Sequence, residues 1–423
     1  MGARKTAGNR SGSAAGASID LAAARRLSCA ASGLSGPFPS GPEGTAAAIR
    51  HLGGVQIDTI SVVERAHHHI LRSRLPRYAK SHLGRLEAEP RRVLEYWTHA
   101  AAWVPLEDYR FCLPRMARVA AEGHDWMDAD AKAVARVRDR IRAEGPLMVK
   151  DFEGPPRGAA GWWDWKPEKI ALEYLFHKGE LVSLGREGFQ KRYDLAERAL
   201  PPDLDRRMPT EEEMAVWYLD TAERTLGIFA RRDIAYHRRD LLGGIDAELG
   251  RRVAEGRLLT VRIEGLEKAP LHYARPEALE GSGAALRGRS RLFALSPFDP
   301  LLIDRRRLAL LFGLEYTIEC YVPEAKRRFG YFALPLLFRD ASGGASFVGL
   351  LDAKAERREK VLRALRLRIE GEAPARRGSL APALAAELRR FAAFNGCEDI
   401  ALGRLECKDA GLRAAVKLAL EGA

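Results

Sequence analysis

Cysteine is scarce in this chain of 423 residues: five in all, Cys29, Cys112, Cys320, Cys397 and Cys407. They are odd in number, widely scattered and form no Cys-x-x-Cys pair, so neither a disulfide framework nor a zinc finger is indicated, and reduced thiols in a cytoplasm are the expectation. Long apolar runs are also missing. None approaches the ~18 residues needed to span a bilayer, and the N-terminus has no hydrophobic signal core, which points to a soluble protein that stays inside the cell. Acidic residues fall short of basic ones, 57 Asp and Glu against 69 Lys and Arg, giving a formal charge of +12 carried mainly by arginine. A polyanionic partner is the natural inference. The 46% hydrophobic content is ample for several cores, and the length implies two to four domains.

Residues 1–17 are Gly, Ala, Ser and basic residues without periodicity and read as a disordered tail. Structure is expected to begin at Ser18-Ile19-Asp20, with Ser18 or Asp20 capping a helix through Leu27, and a second helix runs from about Pro42 to Leu52. After the Gly53-Gly54 break comes Val55-Gln56-Ile57-Asp58-Thr59. In a strand, alternate side chains share a face, so Gln56 and Asp58 emerge together while Val55 and Ile57 turn inward. An amide beside a carboxylate can hold a water and take its proton, a minimal hydrolytic site that needs no metal. The alternation is equally that of an ordinary strand end.

The next segment, Arg65 to Arg74, reads as a helix or turn with basic residues on much of its circumference, which makes Arg65, His67, His68, Arg72 and Arg74 candidates for DNA contact. Three adjacent histidines, His67 to His69, cannot all face one metal, because helix neighbours stand about 100° apart. An internal repeat lies further on: Gly179 to Gly188 and Gly256 to Gly265 share glycines nine apart around an aliphatic strand and a Glu-Gly turn. Each follows a helix-like segment and precedes a second strand, the order of a winged helix. Between Phe152 and Pro167 a Gly/Pro-shaped loop carries Arg157, Trp162, Trp163, Trp165 and Lys166. Three tryptophans in four residues suit an aromatic wedge with phosphate clamps, or equally packing between domains. In the last third, strand-like runs at Tyr316 to Val322, Tyr331 to Phe338 and Ser346 to Asp352 suggest a small barrel or sheet. Lys326, Arg327 and Arg328, with Lys354, Arg357 and Arg358, are phosphate-contact candidates or solvated turns. Helices near Pro382 to Phe394 and Leu412 to Leu420 close the chain.

Taken together, Val55 to Arg74, Gly161 to Lys166, Phe176 to Arg186 and Tyr321 to Tyr331 resemble the winged-helix DNA glycosylases of the AlkZ/YcaQ type, over about residues 19 to 370. The resemblance implies an α+β, mainly helical fold: three tandem winged helices and a C-terminal β-barrel forming a concave surface for double-stranded DNA. The corresponding divisions are 18–144, 145–204, 205–285, a barrel over 286–370, and terminal helices over 371–423. It further implies removal of N7-alkylated purines and unhooking of interstrand crosslinks, with Gln56 and Asp58 matching the Gln-x-Asp branch of the family's catalytic signature. Arg186, within one of the matching blocks, joins the DNA-contact candidates. Where an acidic residue is expected after His99, this chain has Ala100. No cofactor, no metal, no membrane and no obligatory protein partner are expected, and the protein is expected to act as a monomer. A cationic purine leaves as a neutral base, so the chemistry needs only water at C1′ and a carboxylate to steady the oxocarbenium-like sugar; no lysine is required, and an abasic site without strand cleavage is the expected product. A non-enzymatic winged-helix regulator and a metal-dependent nuclease using His67, His68 or His69 with Asp58 remain as alternatives.

Overall fold

The computed structural model describes residues 16–34, 36, 38–88, 90–124, 127–152, 166–234, 242–281, 287–370 and 377–421. Its class is α+β, and its main regularity is one unit used three times. The first runs helix Gly41–Leu52, strand Val55–Gln56, helices Ala66–Arg74 and Ser81–Glu87, then the hairpin Val93–Trp97 and Ala101–Pro105. The second runs helix Ala131–Glu144, strand Leu147–Met148, helix Pro167–His177 and the hairpin Leu181–Glu187 and Gln190–Leu195. The third runs helix Glu211–Leu226, strand Ile228–Ala230, helices Arg231–Ile234 and Leu242–Ala254, then strands Leu259–Ile263 and His272–Ala274. In each, the short first strand pairs with the last strand, which pairs in turn with the middle one. The glycine-bounded repeat of the sequence therefore forms the hairpins of the second and third units.

Local chemistry explains where these elements start and stop. Asp20 caps the helix Leu21–Ala31 by accepting the Ala23 N–H, whereas Ser18, the other capping candidate, lies in a strand. Thr210 and Glu213 form a reciprocal capping box at the head of Glu211–Leu226. Ala17, assigned to the tail by composition, belongs to the strand Ala17–Ile19, which joins the third sheet in parallel with Val261–Ile263. Its partner lies over 240 residues away, so nothing local announces it; residues 1–15 are outside the described set.

The C-terminal region corrects the expectation of a barrel. Five strands, Arg291–Ala294, Leu334–Arg339, Ala345–Glu356, Val361–Ile369 and Asp399–Cys407, form an open sheet in sequential order, and its two edge strands do not pair with one another. The last strand adds in parallel after the helix Arg377–Phe394, whose Leu380, Leu384, Leu388 and Phe391 share a core with Leu334, Leu336, Leu351 and Leu367. A helix covering one face does the work that closure would do. The segment 371–423, expected as separate terminal helices, thus contributes a strand to this sheet. Tyr316 to Val322 is likewise not a strand: Glu319 accepts the backbone N–H groups of Arg328, Phe329 and Gly330, folding the chain onto itself before the short 3-10 turn Glu324–Lys326.

Candidate active site

The site is built at the exit of the helix Gly41–Leu52. Pro42 lies at the helix start and Glu43 in its first turn, Arg50 and His51 are in its last, and Gly53 ends it in the left-handed conformation (φ 69°, ψ 2°). Gly54 follows at φ 151°, and the chain turns directly into Val55 and Gln56. Val55 pairs with Trp103 and Gln56 with Ala102, and the Ile57 N–H donates to Ala101 O at 2.7 Å. Val55 and Ile57 are buried while Gln56 and Asp58 are half-exposed, so the alternation read from the sequence holds even though the regular strand stops at Gln56.

That pairing brings the hairpin tip Thr98–Ala100 alongside the motif. His99 Nε2 stands 3.2 Å from Gln56 Oε1, so the imidazole N–H donates to the amide oxygen, and His99 Nδ1 lies 3.4 Å from Thr98 Oγ1. The missing acidic residue after His99 therefore does not detach the histidine from the site. Asp58 Oδ1 accepts the Ile60 N–H at 2.8 Å, an Asx-type bond that fixes the carboxylate, while Oδ2 takes no part in it. Burial raises the Asp58 pKa above the ordinary aspartate value, with the Ile60 bond opposing it. The same carboxylate adds to the raised pKa of the Cys320 thiol, after burial, and of the Tyr321 hydroxyl, after burial and Cys320.

The basic helix after the motif fares differently from expectation. Arg74 is fully buried, bonded to Asp299 at 2.7 and 3.0 Å and to the carbonyl oxygens of Ser32 and Ile70. His67 is buried against Phe189 and His68, and burial holds it neutral by lowering its pKa. Arg72 is engaged by Glu387 and lies over Phe391. Arg186 is clamped by Glu95 at 2.9 and 2.6 Å and sits over the Phe189 ring. All four are paired within the fold: His67, Arg72 and Arg74 on the nine-residue helix Ala66–Arg74, and Arg186 on the strand Leu181–Glu187. Arg65 is half-buried over Phe189 at 4.1 Å, and His68 Nδ1 is bonded to the Tyr78 hydroxyl at 2.7 Å with its pKa lowered to about 4 by burial. Lys326 is exposed, Arg327 is half-exposed over Tyr331, and half-exposed Lys166 immediately precedes the helix Pro167–His177. Arg157, Trp162 and Trp163 lie outside the described residues. Among the described residues no cluster of three or more His, Cys, Asp or Glu is placed to hold a metal, and no helix is long and apolar enough to cross a membrane.

The class to which this chain belongs is that of the DNA glycosylases, enzymes that cut the bond between a base and its sugar. The chain belongs to the family described as DNA glycosylase AlkZ-like, whose profile matches residues 49–394, from just before Gln56 to the end of the helix Arg377–Phe394. Among solved structures it is similar to the Streptomyces sahachiroi DNA glycosylase AlkZ, with a TM-score of 0.58 and 14% identity over 92% of this chain and 100% of that one. At that identity the likeness is one of fold. The protein is thus a DNA glycosylase, and DNA is its substrate.

Proposed function

We propose that the enzyme is a monofunctional glycosylase that hydrolyses N7-alkylated, cationic purines from duplex DNA and unhooks interstrand crosslinks made through that nitrogen, with Asp58 as its carboxylate and Gln56 beside it. The observation that carries this reading is the Asp58 carboxylate: half-buried, oriented by Ile60, and raised in pKa by burial, next to an amide whose oxygen is already taken by His99. With Oε1 so occupied, the Gln56 NH₂ is left as a donor to a water or to the sugar. A raised carboxylate is a better base than an ordinary one, and its charge steadies the oxocarbenium-like sugar as the neutral base departs. The Asp58 pair matches the Gln-x-Asp form of the signature. The three repeated units are proposed as winged helices whose helices address DNA, with the whole acting as a monomer. A site at a strand end suits a bulky crosslinked base.

The test is base release from duplex carrying N7-methylguanine and, in parallel, an N7-linked interstrand crosslink, by wild type and Asp58→Asn in metal-free buffer. Release by the wild type, a loss of at least about a hundredfold in the variant and retained DNA binding are the expected outcome. Retained binding with no release by either protein would point to a non-enzymatic DNA binder. Release restored only by added metal would favour the hydrolytic-metal route.

A further inference from the structure

Exposed large apolar side chains are few among the described residues, and Tyr321 is the most open of them at 80% and the one aromatic. Single exposed rings need no explanation by themselves. Two observations set this one apart.

The first is that the loop carrying it is built to hold still. Glu319, 9% exposed, accepts three backbone N–H groups, from Arg328 at 2.7 Å, Phe329 at 2.8 Å and Gly330 at 3.1 Å. The Val322 N–H donates to Glu319 O at 3.0 Å, and Arg327 Nε donates to Val322 O at 2.9 Å while its guanidinium covers the Tyr331 ring. Gly330 passes so close to Asp352 that an added Cβ would stand 2.1 Å from its Oδ2. A loop braced at both ends fixes the backbone of Tyr321 while leaving its ring in solvent, the arrangement expected of a residue kept ready for a ligand.

The second is where the ring stands. Ile60 and Val62, just beyond Asp58, pack against the same core as Ile318 and Tyr331, which flank the loop, and the Ala355 N–H of the strand Ala345–Glu356 bonds Val62 O at 2.8 Å. Asp58 also contributes to the raised pKa of the Tyr321 hydroxyl.

We infer that Tyr321 is a substrate-contacting specificity residue whose ring face packs against the damaged base at Asp58 and favours the positively charged purine over a neutral one. The inference rests on the reading of the site given above and extends it. An aromatic face attracts a cation through its quadrupole, and stacking on a base is tolerant of its identity, so one exposed ring supplies both hold and charge selection. The positive charge that makes the base a good leaving group becomes the feature by which it is recognised.

The experiment measures single-turnover release of 7-methylguanine, and binding to undamaged duplex, for wild type, Tyr321→Phe, Tyr321→Leu and variants carrying mono- and trifluorophenylalanine at position 321. Phe is expected to stay within about threefold of wild type and Leu to lose about tenfold, with the fluorinated rings falling progressively as the face becomes less electron-rich and binding to undamaged DNA unchanged. A purely structural ring would show no fluorine trend. Wild-type rates in Leu, or equal losses in Phe and Leu, would overturn the inference. If wild type releases base and Asp58→Asn does not, such a result falls on Tyr321 alone; no release by wild type removes the premise of both.

Discussion

At the scale of one residue, the proposed chemistry rests on Asp58, whose environment disfavours its own charge. Burial raises its pKa, and the Ile60 N–H recovers only part of what desolvation takes. An aspartate whose folded pKa lies above its unfolded value costs the folded state stability at neutral pH, and that cost is relieved as pH falls through the raised pKa. Catalysis runs the other way, since only the ionised form can act as base. The acidic limb of the single-turnover rate for base release should therefore lie above the range of an ordinary aspartate, with activity rising as pH rises through it. Asp58→Asn, which keeps an oxygen for the Ile60 N–H, should melt no lower than wild type at pH 7.5 in a thermal scan while releasing no base. A limb at the ordinary aspartate value, or a variant that unfolds, would assign the carboxylate a structural role instead.

Elements decide how much of this was legible in advance. The Gln56/Asp58 alternation could be read because side-chain direction in an extended chain depends on sequence neighbours alone. The repeated hairpins could be read because their glycines recur at a fixed spacing. The fate of the basic helix could not, since the partners of Arg74 and Arg72 are Asp299 and Glu387, more than 200 residues away, and no periodicity within the helix marks them. The Asp399–Cys407 strand is illegible for the same reason: its partner Val361–Ile369 is separated from it by an 18-residue helix. His99 stands out in the sequence, but its bond to Gln56 depends on the register of Gln56 with Ala102. The Gly53-Gly54 break is where local signal and site meet. Gly53 has φ 69°, and an added Cβ would lie 2.9 Å from Thr221 Cγ2 of the neighbouring helix. Gly53→Ala should cost about 1–3 kcal/mol in denaturant unfolding and, by shifting Gln56, lower base release more than it lowers DNA binding. Equal effects on release and binding would show that the turn does not position the motif.

For the whole molecule the question is which part of the +12 charge meets DNA. Several arginines are committed within the fold: Arg74 to Asp299, Arg186 to Glu95, and Arg252 to Glu248 and Glu223. Such pairs offer little net charge to a phosphate, so charge counting overstates the interface. Among the exposed cations, Lys326 and Arg328 lie in the same loop as Tyr321, and Lys354 and Arg358 lie around the turn between Ala345–Glu356 and Val361–Ile369. The turn lies beside the motif, since Arg357 reaches Ser61 O and Glu64 just past it, and we propose it as a phosphate-contacting face. Each phosphate neutralised releases counterions, giving about 0.9 in the slope of log K against log salt. Replacing Lys326 or Arg358 with Ala should lower that slope by about 1 each and weaken binding to damaged and undamaged duplex alike. Replacing Arg186 with Ala should leave the slope unchanged and lower the melting temperature, because its charge is spent on Glu95. A slope that falls for Arg186 and stays fixed for Lys326 and Arg358 would move the DNA-binding face to the second unit and away from the Tyr321 loop.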